Sequence, residues 1–363
     1  MDGFAHYAAR VTNRLNDDRM PPARAARARG VVARRWAHAR IAMTAASALV
    51  AGCTTPSATV TRAPARDPAA EIAAAPEAQA LPAFHGQSGR RWSWPALVAR
   101  IGASEAVFIG EQHDDAGAHR FQAAVAEAMC AARPGAAISL EMLERDDQAA
   151  VDDYLAGTLA LDAFVDRAGV RHWAGTGTWI PWYQPVIEVA RASASPVVAA
   201  NAPRRFVSQA HASGYGPLRE LPPEDRVLFE LPESLPHDAY RERLAGLMRE
   251  AREGTDDPAP TDEEIDAFQR AQLVWDATMA ASAARALERA PAVVHLAGAF
   301  HIGRDGATVT EFARRRPDAR TLTIVCVDAA SDSLRDEDVG LADVVVYTRG
   351  PAAPATGGER VSP

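Results

Sequence analysis

The chain has 363 residues, of which 48% are hydrophobic and 24% charged, so it can bury a sizeable core. Its formal net charge of −8 excludes a general nucleic-acid binder, because neutralising phosphates takes clustered Lys and Arg. The densest basic run, Arg24 to Arg40, instead precedes an apolar or small-residue stretch from Ile41 to Gly52. That order is a secretory signal, and the stretch is too short to span a hydrocarbon core of roughly 30 Å as a helix.

The stretch ends in Leu49-Val50-Ala51-Gly52-Cys53, which resembles the lipobox of bacterial lipoproteins. Cleavage before Cys53 and lipidation of its thiol are expected, giving a membrane-anchored, extracytoplasmic protein. Residues 1–52 are then a cleaved signal region and 53–80 a lipidated Cys with a flexible linker, broken by Pro56, Pro64, Pro68 and Pro76. Residues 350–363 have a similar composition and are expected to be a disordered tail. The remaining cysteines, Cys130 and Cys326, are too far apart in sequence for a disulfide framework and read as buried thiols.

Between linker and tail, residues 81–349 alternate short apolar runs with helical patterns. Strands are predicted at 106–111, 137–142, 197–201, 293–298, 321–328 and 343–348. Most are apolar on both faces, as expected where helices cover both sides of a sheet. Helices are predicted at 118–132, 146–155, 183–192, 203–211, 237–253, 262–289 and 307–315, with a Thr261/Glu264 capping box opening the longest. The expected fold is one α/β domain with a largely parallel central sheet and helices on both faces.

What stands at the strand ends is the informative feature. One run ends in Gly110-Glu111-Gln112-His113, another in Glu141, a third in Asn201, and a fourth in Gly298-Ala299-Phe300-His301. In a parallel sheet these groups share the carboxyl edge, where open α/β folds bind ligands. His113, His301 and Glu141 are the minimum for a three-ligand divalent metal site, with Glu111 or Glu141 as a general base. The same carboxylates also suit a structural network that accepts hydrogen bonds from the histidines. His295, inside its strand, reads as a core residue and His119 as a surface residue. A second cluster, His172 to Tyr183, holds Trp173, Trp179 and Trp182 in a Gly/Pro-broken loop, which suits either a local core or an apolar wall for a flat ligand.

The segments Phe108 to Asp115, Leu140 to Met142, Ala199 to Pro203, Gln272 to Met279 and Ala297 to Ile302 together resemble the ChaN-like haem-binding lipoproteins of the Tiki superfamily. The resemblance implies an α/β fold, haem held by a homodimer, and iron ligated by a tyrosinate. Tyr183 is the expected ligand, with Tyr154, Tyr215 and Tyr240 as alternatives. Trp179 and Trp182 are expected to cover a haem face, and Arg204 or Arg205, beyond Asn201, to pair with a propionate. The Tiki-like side implies the alternative, a metal-dependent hydrolase built on the two Gly-x-x-His motifs. No role is assigned to residues 219–262.

Overall fold

The computed structural model describes residues 76–349, apart from 234–237, 256 and 305. The expected signal region, Cys53 and the tail therefore lie outside the described residues. Where the sequence reading continued the linker to residue 80, Pro76–Gln79 is helical and Ala78 is buried against the domain.

Eight strands form one sheet in the order β2-β1-β8-β7-β3-β6-β4-β5. These are β1 (Ala83–His85), β2 (Arg91–Trp92), β3 (Ala106–Glu111), β4 (Ala137–Glu144), β5 (Val197–Asn201), β6 (Val293–Gly298), β7 (Thr321–Val327) and β8 (Val344–Tyr347). Strands β3 to β8 pair in parallel, and the short β1 and β2 add an antiparallel edge beside β8. The fold is the expected α/β arrangement.

Strand side chains alternate between the two faces, and the core divides accordingly. Val107, Ile109, Ile138, Leu140, Val294 and Leu296 pack into one cluster with helices Trp94–Ala103, Ala116–Ala132, Gln148–Leu155 and Gln184–Ala192. Ala106, Phe108, Ala137, Val293 and Ala297 pack into the other, under helices Arg204–Ser213, Asp262–Ala286 and Ala307–Arg315. With a helical layer on each side, neither parity faces water, so the runs carry no polar alternation. The long helix starts as expected: Thr261 accepts from the Glu264 amide and Glu264 accepts from the Thr261 amide.

Cys130 and Cys326 are both buried free thiols, and burial pushes the Cys326 thiol up. No helix among the described residues is long and apolar enough to cross a membrane. The parallel register aligns the strand ends that matter, setting Glu111 opposite Gly298 across β3 and β6. Gly110, just before, permits close packing: a Cβ there would stand 2.9 Å from the Ala299 Cα.

Candidate functional site

The carboxyl edge carries two histidine–carboxylate pairs, one under each helical layer. Glu111 shares the parity of Val107 and Ile109 and so meets the Ala116–Ala132 helix and the aromatic loop. His113 Nδ1 lies 2.8 Å from its Oε1, and the Tyr183 hydroxyl donates to the same oxygen at 2.8 Å. Gln122 donates to Oε2, and His119 Nδ1 stands 3.4 Å from it. Burial opposes charge on Glu111, yet His119 and the hydrogen bonds from His113 and His119 hold its carboxyl well below the usual range. Burial alone would lower His119, but the Glu111 carboxylate holds it above its ordinary value.

His119 is thus no surface residue. It is 2% exposed, stacked on Trp182 with centroids 4.8 Å apart, and its Nε2 faces the His113 carbonyl at 3.2 Å. One helical turn beyond the Asp115 N-cap, it joins Phe121 and Gln122 on the helix's buried side.

The second pair is sealed under the other layer. His301 Nδ1 lies 2.8 Å from Asp276 Oδ1, which also accepts from Thr308 at 2.6 Å, while Tyr240 donates to Oδ2 at 2.7 Å. Asp276 and His301 are fully buried. Burial works against charge on His301, but Asp276 outweighs it and the imidazole is held above its ordinary value. The sequence reading gave Asp276 no role, although a lone carboxylate in the apolar run Leu273 to Met279 was a usable signal, since buried acids are rare without a partner. The Asp238–Arg252 helix, also unassigned, supplies Tyr240 and Arg243, whose guanidinium donates to the carbonyls of Phe300, Gly303 and Arg304. It clamps the turn that carries His301.

Glu141 lies between the pairs. Its Oε2 accepts from the Gly298 amide at 2.6 Å, and its Oε1 is 3.9 Å from His301 Nε2. A Cβ on Gly298 would stand 3.1 Å from His113 Nε2 and 3.7 Å from Glu141 Oε2. His113, Glu141 and His301 therefore converge around Gly298, as the strand-end argument requires. The metal reading is not carried with them: among the described residues no three His, Cys, Asp or Glu side chains are grouped to hold an ion. His301 Nδ1 is engaged by Asp276 and one Glu141 oxygen by a backbone amide.

The aromatic loop is half core and half rim. Trp179 and Tyr183 lie in a wide, π-type helical turn and are 0% exposed, so neither presents a face to a ligand. Trp179 instead donates to Gln184 at 2.8 Å, correcting the expectation that it covers a haem face. Burial, and then the Glu111 charge, raise the Tyr183 phenol far above its ordinary value, which opposes the expected tyrosinate. Trp182 and Trp173 are half-buried, and Trp173 meets the His113 ring edge-on at 4.6 Å. Asn201 spends its side-chain oxygen on the Ala202 amide. Arg205 is half-exposed and paired with Asp146 at 2.7 Å, while the Arg204 amide donates to Glu144. His295 is a core residue as expected, bonded to Ser139 at 2.9 Å; burial and then the His301 charge push it down to about 3.

Residues 97–311 match the family described as haem-binding uptake, Tiki superfamily, ChaN, and the chain belongs to that family. Among solved structures it is similar to that entitled cofacial heme binding to ChaN of Campylobacter jejuni, at 14% identity and a TM-score of 0.57, covering 73% of this chain and 96% of that one. That likeness shows the fold. The type III effector HopBA1 matches at 14% identity and a TM-score of 0.37, over 76% of this chain and 99% of that one. The RRSP toxin effector domain of Vibrio vulnificus matches at 18% identity and 0.33, over 73% and 40%. No curated protein matches significantly.

Proposed function

We propose that this chain binds haem and serves its uptake for iron, held at a membrane by lipid on Cys53 and pairing with a second copy around the ligand. One observation carries the reading: the family match over 97–311 takes in every strand end of the site, from Glu111 to His301. The half-buried Trp173 and Trp182 offer apolar ring surface beside it, and Arg205 has an exposed partner, Asp146, that a propionate can replace. A broad, flat ligand bound on one face leaves the other in water, and a second subunit recovers that hydrophobic stabilisation.

Titrating the protein with haemin and following absorbance tests the binding, with sedimentation run alongside. Saturable binding with a shift towards dimer is the expected result, and absence of saturable binding by wild type sinks the haem reading. Cys53→Ala should move the protein out of the membrane fraction or stall its processing.

A second reading is favoured by one feature, the two imidazoles flanking Glu141 with each Nδ1 held by a buried carboxylate. Such a set moves protons at a carbonyl centre without a metal. Hydrolysis of an ester and peptide panel that is lost in Glu141→Gln supports it; no turnover by wild type removes it.

A further inference from the structure

The opposite, amino edge of the sheet carries a cleft of its own. Glu105, Pro291 and Ala319 stand just before β3, β6 and β7, three neighbouring strands at the middle of the sheet. With Leu287, Arg315 and Arg316, at the ends of helices Asp262–Ala286 and Ala307–Arg315, they line a cleft of about 380 Å³. That volume lies within the range of small-molecule sites, about 300–1,000 Å³.

Leu287 and Pro291 give the cleft an apolar wall, and Arg315 and Arg316 are its cations. Neither guanidinium has a hydrogen bond or ion pair among the described residues. Arg315 is half-buried, and its Nε–H is shielded from solvent without an acceptor, a costly state for a charged donor. The carboxylates nearby are engaged elsewhere. Glu311 lies within electrostatic reach of Arg315 but accepts from Arg314, at 2.7 Å. Glu105 accepts from the Arg320 amide at 3.0 Å, with the Arg320 guanidinium 3.4 Å away. That hydrogen bond, and the charges of Arg320, Arg133 and Arg316, hold Glu105 below its ordinary value. Asp318 is exposed to water. The negative end of helix Ala307–Arg315 accounts for a cation in its last turn. It does not account for Arg316 beyond that turn, nor for a cleft between the two guanidinium groups and an apolar wall.

We propose that this cleft binds a small organic phosphate, its oxygens held by Arg315 and Arg316 and its apolar body laid against Leu287 and Pro291. Guanidinium forks match phosphate oxygens in pairs, and two of them balance the charge of a phosphate monoester, close to two at neutral pH. The site lies at the other sheet edge from Glu111, Glu141 and His301 and does not rest on the haem reading.

Isothermal titration calorimetry of the full chain in detergent, with phenyl phosphate as the probe at about 0.15 M salt, tests the site. One saturable site per chain is expected. It should be at least tenfold tighter than for phenol, which lacks the charge, and than for inorganic phosphate, which lacks the apolar body. Arg315→Gln and Arg316→Gln should each weaken binding about tenfold or more while melting like wild type. Arg349→Gln, the same loss of charge beyond the carboxyl end of β8, should leave it unchanged. Dihexanoyl phosphatidic acid, kept below its micellar concentration, separates two sources of the same chemistry: tighter binding than phenyl phosphate assigns a lipid headgroup, weaker binding a soluble ester. Haemin titration should be the same in both variants as in wild type. Absence of saturable phenyl phosphate binding, or an affinity unmoved by both substitutions, overturns the site and leaves the arginines as helix-end cations. Haemin binding that falls in step with phenyl phosphate binding overturns a separate site and leaves the haem function standing.

Discussion

Two histidine–carboxylate pairs stand on one sheet edge, and they differ in what covers them. Glu111 and His113 sit under a loop of aromatics, where His113 reaches the surface and Trp173 and Trp182 are half-buried. Asp276 and His301 sit under the Asp238–Arg252 helix, with Tyr240 and Arg243 closing over them and no exposure at all. The same chemical pair thus serves two ends. The sealed pair fixes the turn after β6 and so places Gly298 against His113, whereas the aromatic-covered pair lies nearer the surface, beneath the half-buried Trp173 and Trp182.

The largest effect is expected where the sealed pair is broken. Asp276 accepts from His301, Thr308 and Tyr240. Asp276→Ala should cost about 3–5 kcal/mol, because removing one partner of a buried pair leaves the others desolvated and unmatched. Denaturant unfolding at neutral pH measures this, and a loss under about 1 kcal/mol would show that the pair is not the fastening for the turn.

Breaking the aromatic-covered pair should do less to stability and more to binding. Glu111→Gln keeps the shape but removes the charge that His113, Tyr183, Gln122 and His119 converge on. A loss of about 1.5–3 kcal/mol is expected for hydrogen bonds that cease to be charge-assisted. His119 should then titrate at lower pH, since the carboxylate that raises it is gone while burial remains. An NMR titration of His119 that is unmoved in Glu111→Gln would contradict the coupling.

This contrast also explains what could be read from the sequence. The inner strands were legible because two helical layers leave them apolar on both faces, and the ends at Glu111, Asn201 and Gly298 followed from parallel pairing, whereas β4 runs past Glu141 to Glu144 through a register shift after Leu140. β1 and β2, of three and two residues, are too short to show a period. The Trp94–Ala103 helix was missed although Ser93 caps it and a Pro sits in its first turn. Side-chain depth was the harder quantity. Tyr183 and Trp179 stand in a Gly/Pro-broken loop whose pattern suits a local core and a ligand wall alike, and the wide helical turn folds both into the core. Asp276 and Tyr240 meet across 36 residues of chain, a pairing no local pattern reports.

The smallest effect sharpens the comparison from the core between the pairs. His295 lies on β6, wholly buried, with Ser139 as its hydrogen-bond partner and the charges of His301 and Asp276 nearby. Burial pushes its pKa down to about 3 from an ordinary 6.5, so the folded protein holds it neutral where the unfolded chain takes up a proton. The sign follows from linkage: this contribution is complete above pH 6.5 and is lost as pH falls towards 3. His119 and His301, held above 6.5, run the other way; their contribution is complete below 6.5 and is lost as pH rises through their folded values. Between pH 6.5 and 5.5 the His295 contribution should therefore fall by about 1 kcal/mol, partly offset by His119 and His301, whose unfolded-state protonation completes over the same interval. In His295→Gln that fall should vanish, whatever the variant's stability at pH 7. A slope unchanged by the substitution would assign the acid limb to the carboxylates, Glu111 above all, and leave His295 a passive part of the core.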